Sequence, residues 1–134
     1  MDENKTSKIE YEYHHIGIPT DKSQKDERYS PLFKMYTSDS ESKDFRVQWH
    51  RFEPDSSIHP LIQRMPHIAF KVNDIQLAIE GKKVILEPYY PFERFCVAMI
   101  EEDGLPIELI ETDLKEEEIW SDSHKNSTLY PDSE

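Results

Sequence analysis

Cysteine is almost absent: Cys96 is the only one in 134 residues. That excludes an intramolecular disulfide and any thiolate metal site of the zinc-ribbon kind. Long apolar runs are missing as well. No stretch could span a bilayer, and no apolar segment follows the charged N-terminus, so neither a membrane helix nor a signal peptide is expected. Positive charge is scarce, with 16 Lys and Arg against 28 Asp and Glu and a formal net charge of −12. Phosphate backbones would be repelled, so no nucleic-acid partner is expected, and no membrane partner either. Hydrophobic residues make up only 36%, which fits a globular domain flanked by polar ends. A cytoplasmic protein is the default expectation.

What is present is a series of short alternating runs. The length fits one compact domain, or two small modules sharing a core. Residues 1–8 read as a flexible N-terminus, and 9–113 as the domain. Within it, module one takes 9–53, a Pro-punctuated linker 54–65, and module two 66–113. Residues 114–134 form an acidic tail whose charge favours solubility. Period-two alternation predicts strands at 9–18, 32–36, 45–52, 67–72, 82–88, 95–100 and 105–111. Asn73 or Asp74 can cap a helix that runs to Gly81. Residues 20–31 read as a loop and 89–92 as an aromatic loop. A short helix at 114–120 would dock Ile119 and Trp120 on the body.

The two halves repeat one another. His14-His15-Ile16-Gly17-Ile18 parallels Pro66-His67-Ile68-Ala69-Phe70. Side-chain alternation puts His15 and Gly17 on one face, as it does His67 and Ala69, with the large aliphatics opposite. Val47-Gln48-Trp49 likewise parallels Ile107-Glu108-Leu109. In each, a polar residue between two apolar ones points away from the apolar layer. Pairing the modules would gather His15, Gln48, His67 and Glu108 on one sheet surface.

In these residues the chain resembles the vicinal oxygen chelate superfamily, which includes glyoxalase I, bleomycin-resistance proteins, methylmalonyl-CoA epimerase and extradiol dioxygenases. The resemblance spans about residues 13–112, an ordinary domain size. It implies an α+β fold in which two β-α-β-β-β-type modules form a partly closed mixed sheet around a metal or an open cleft. This chain departs from the pattern in a short, helix-poor first module, and in Gln48 where a carboxylate is common.

Carried over by position, the metal ligands are His15, Gln48, His67 and Glu108. Such a mixed N/O set suits a divalent ion (Zn, Ni, Co, Mn or Fe) with positions open to water or substrate. The implied chemistry is a lyase, isomerase or dioxygenase reaction on a small oxygen-rich molecule, with Glu108 able to serve as catalytic base. The same fold also supports a metal-free small-molecule-binding protein of the bleomycin-resistance type, or a regulatory domain without chemistry. His50 is the alternative to Gln48 if the strand register differs, and His14 competes with His15. His59 reads as a surface residue and Cys96 as inert. Arg46, Arg51 and Arg94 pair more readily with this chain's own carboxylates than with a ligand. Tyr89, Tyr90, Phe92 and Phe95 form either core or an aromatic wall. A homodimer would cover the sheet edges that a short first module leaves open.

Overall fold

The structure, a computed structural model, describes residues 8–40 and 44–115, without the side chain of Phe92. The expected docking of Ile119 and Trp120 lies outside the described residues. The strands are β1 (Tyr11–Pro19), β2 (Arg28–Ser30), β3 (Met35–Asp39), β4 (Val47–Phe52), β5 (His67–Val72), β6 (Lys83–Phe92), β7 (Phe95–Glu102) and β8 (Leu105–Thr112). Two single-turn helices join them, α1 (Pro60–Arg64) and α2 (Ile75–Ile79).

All eight strands form one curled mixed sheet in the order β2-β3-β4-β1-β5-β8-β7-β6. The internal repeat is visible in that order. β1 runs parallel to β4, as β5 does to β8, and the remaining pairs within each half are antiparallel. The halves meet through the antiparallel pair β1–β5. The fold is therefore α+β, with two β-α-β-β-β-type modules side by side and the first lacking its helix among the described residues.

Local chemistry sets the elements. Asp74 caps α2 by accepting from the Leu77 amide at 3.1 Å, and Gly81 beyond it takes φ +74°, as a helix exit demands. Asp103 and Gly104, both at positive φ, make the tight turn that returns β7 into β8. His59 is not a mere surface residue: its Nδ1 accepts from the Leu61 amide at 3.1 Å and caps α1, with Pro60 as the first helical residue.

Three further expectations are corrected. The 20–31 loop contains β2, too short and too charged to show alternation. Residues 89–92 continue β6, whose repeated register shifts against β7 blur a period-two pattern. The third correction concerns β1. Tyr13 pairs with Phe70 while His15 pairs with the adjacent Ala69, so His14 is an inserted bulge residue. Tyr11 and Tyr13 therefore face opposite to His15 and Gly17, and Tyr11 meets the Phe70 ring edge-on.

Core forms on both faces. Val72, Ala98, Ile100 and Leu109 pack with Ile75 and Ala78 of α2 on the convex side. The concave side holds Ala69, Phe95, Val97, Ile110 and Leu114. At its other end, Ile58 and Ile62 from the linker and α1 pack on Met99 beside Phe52. Cys96 is buried in the convex core, and burial pushes its thiol pKa up, in keeping with an inert residue.

In place of a helix, module one has a polar clamp. Arg51 donates to both Glu27 oxygens, at 3.0 and 2.7 Å, and its guanidinium lies 4.0 Å from the centre of the Tyr36 ring. The bond to Arg51 holds the Glu27 carboxyl below the usual carboxylate range. Its pKa is thus lower folded than unfolded. The clamp's contribution is complete above the unfolded value, about 4.3, and fades as pH falls through the folded one. Urea midpoints measured from pH 7 to pH 3 should drop less steeply for Glu27→Gln than for the wild type.

Candidate metal centre

The three central strands carry the site. His15 on β1 pairs with Ala69 on β5, and Ala69 pairs with Glu108 on β8. The three residues form one row across the sheet, and paired residues share a face. His15 and Glu108 are two strand spacings apart, about 9.6 Å, with only the Ala69 methyl between. Their long side chains meet above it, His15 Nε2 lying 3.3 Å from Glu108 Oε1. His67, two residues before Ala69 on the same face, brings its Nε2 to 3.0 Å from the same oxygen.

Glycine makes the third approach possible. Gly17 pairs with His67, and a Cβ added to it would lie 2.2 Å from His67 Cε1 and 2.5 Å from Nε2. The imidazole therefore lies flat across the neighbouring strand. The small residues of the sequence repeat, Gly17 and Ala69, are the floor on which the rings rest.

His15 and His67 are buried, and the Glu108 side chain is only 14% exposed. Burial pushes the Glu108 pKa up, but the neighbouring His15 and His67 outweigh it and hold the group well below the usual carboxylate range. The site thus keeps a buried anion, and a buried anion requires a cation or strong donors.

The donors fit a metal. One ligand atom each from His15, His67 and Glu108 lie within 4.8 Å of one another. His67 Nε2 sits 3.0 Å from Glu108 Oε1 without an aligned hydrogen bond. Two donors each about 2.1 Å from one ion, at octahedral or tetrahedral angles, stand about 3.0–3.4 Å apart. The observed 3.0 and 3.3 Å separations match that spacing. Behind His15, its Nδ1 is 2.9 Å from His14 Nδ1. A ligating Nε2 needs its lone pair, so the ring proton must sit on Nδ1, where His14 can accept it. The bulge that misaligns β1 places this acceptor there.

Gln48 holds the register in module one that Glu108 holds in module two, since Gly17 pairs with Gln48 as Ala69 does with Glu108. Its amide nitrogen, however, donates to Asp39 Oδ1 at 3.0 Å, so the buried trio forms without that bond. His50, two residues on, is buried, stacked on His67 at 5.4 Å between ring centres, and bonded through Nδ1 to Thr37 Oγ1 at 3.0 Å. Burial lowers its pKa to about 3, so it stays neutral. Arg94 pairs with Asp113 and Arg51 with Glu27, as charge pairing in so acidic a chain anticipates. Phe95 lies in the concave core and meets the His14 ring edge-on.

No protein-family model and no curated protein matches the chain. Its fold is similar to the crystal structure of hypothetical protein BH1468 from Bacillus halodurans C-125. The TM-score is 0.58 at 19% identity, over 78% of this chain and 96% of that one.

The Gly17 contact is directly testable. Gly17→Ala forces the His67 ring off its platform, at about 1–3 kcal/mol by the usual cost of overpacking. Urea denaturation should show that loss. Calorimetric titration with Zn(II) should show a drop of at least tenfold in affinity.

Proposed function

We propose that the protein is a divalent-metal-dependent enzyme of the vicinal oxygen chelate type, a lyase, isomerase or dioxygenase acting on a small oxygen-rich molecule. The observation that carries the reading is the convergence of two imidazole nitrogens on one buried carboxylate oxygen, at separations suited to a shared ion. The curled sheet of two modules and its likeness to BH1468 support the architecture alone.

In this reading His15, His67 and Glu108 hold the ion and His14 orients His15. Bound there, a divalent ion would supply Lewis acidity to oxygens of a chelated substrate. The protein's own groups do the rest. The carboxylate, kept ionised in a buried cleft, is a base for a proton beside the chelated oxygens if substrate displaces one of its contacts. The concave wall of Val97, Met99 and Ile110 excludes water from one side. A metal-free binding cleft is the rival, since imidazole N–H donors can also hold one carboxylate without an ion.

Metal analysis of protein purified without an affinity tag separates the two. About one equivalent of metal per chain is expected in the wild type. His67→Ala and Glu108→Ala should each fall below about one tenth of that, because few structural sites survive on two ligands. Stoichiometric metal in both variants, or none in the wild type, would remove the enzyme reading.

A further inference from the structure

A second polar group lies next to the trio, and one of its nitrogens takes part in none of the contacts above. His50 is 8% exposed, and its Nε2 is buried without a hydrogen-bond partner. Such atoms are rare in native structures and call for an account. Strand pairing fixes where the ring lies. His50 is on the face of Gln48 and Phe52, opposite Thr37, and stacks at 26° to the plane of His67.

The tautomer turns on Thr37. That residue is 1% exposed, and its hydroxyl faces His50 Nδ1 at 3.0 Å, so one hydrogen lies between the two. With the threonine donating, the ring proton sits on Nε2, and among the described residues no acceptor meets it.

Resting on the metal-site reading, we infer that His50 is a ligand-binding residue whose Nε2–H donates to an outer oxygen of a small anion chelated at the His15/His67/Glu108 site. The ligand class is a small carboxylate that chelates through two oxygens and keeps a further oxygen as acceptor. Arg28, on the same concave face through its pairing with Thr37, lies 3.7 Å from Asp39, so that wall carries a charge pair. His50 is not a metal ligand in this account, since its distinct role is to read the bound anion.

Oxalate is the probe, because it chelates with two oxygens and leaves two as acceptors. Zn(II) affinity, and then oxalate affinity of the zinc-loaded protein, would be measured by calorimetry for wild type, His50→Phe and His50→Gln. Phenylalanine keeps the stacked ring and removes the donor, whereas glutamine keeps a donor. For His50→Phe, zinc affinity should stay within about twofold and oxalate affinity should fall about tenfold, the usual scale for a hydrogen bond to a charged acceptor. His50→Gln should recover most of the loss. Wild type that binds no zinc overturns both this inference and the metal-site reading. Zinc lost from His50→Phe makes His50 a ligand and overturns this inference alone, as does unchanged oxalate affinity. Should His50→Phe not fold, the 15N resonance of His50 Nε2 in zinc-loaded wild type decides the matter. It shifts when oxalate is added, or the inference is lost.

Discussion

One ionised carboxylate, Glu108, buried between two imidazoles, is the constraint around which the sheet is organised. Taking such a charge out of water costs several kcal/mol by itself, so the surroundings must be built to hold it. Glu108 lies on β8, whose Leu109 and Ile110 are fully buried on opposite faces. The strand is central, and its backbone cannot shift to expose the charge. The imidazoles reach it from the two neighbouring positions, one over Ala69 and one over Gly17. Larger residues at either floor position would hold the rings away from the oxygen. The small residues of the repeat are thus the spatial counterpart of the charged one.

The bulge at His14 belongs to the same arrangement. An extra residue in β1 breaks the alternation and brings two consecutive histidines into the interior, with their Nδ1 atoms 2.9 Å apart. Bulges near functional sites commonly re-aim a side chain. This one supplies a partner to the far side of His15, the imidazole that faces Glu108. β5 has no counterpart, since its consecutive Ala69 and Phe70 face His15 and Tyr13 with no residue inserted between them. The duplicated halves differ where their histidines need different support.

The repeat was legible because a two-residue period and a fixed motif survive in both halves. His15, His67 and Glu108 could be placed on one surface from parity alone, and strand pairing brings them together. Parity could not reveal the bulge, since His14 looks like any residue of an alternating run. Nor could it show that Gln48 would bond to Asp39, because that contact joins strands whose register depends on a turn. His50 was visible only as an alternative to Gln48, for its burial comes from Thr37 and His67, far away in sequence. α1 and β2 escaped for another reason. Each is so short that tertiary packing and capping outweigh any periodic signal.

The concave face is chemically lopsided, and the register explains how. On the module-two side, Val97, Met99 and Ile110 lie on the Glu108 face, each in register with its neighbour across β7 and β8. On the module-one side, the equivalent rows are Asp39 with Gln48 and Thr37 with His50. Two copies of one fold therefore supply one apolar wall and one polar wall to a shared hollow. Interior polar groups are costly unless partnered, so the polar rows of module one call for partners that the apolar rows of module two do not. Module one holds a histidine, His50, whose outer nitrogen has no hydrogen-bond partner among the described residues. The imbalance gives the concave face a direction, polar toward β4 and apolar toward β7.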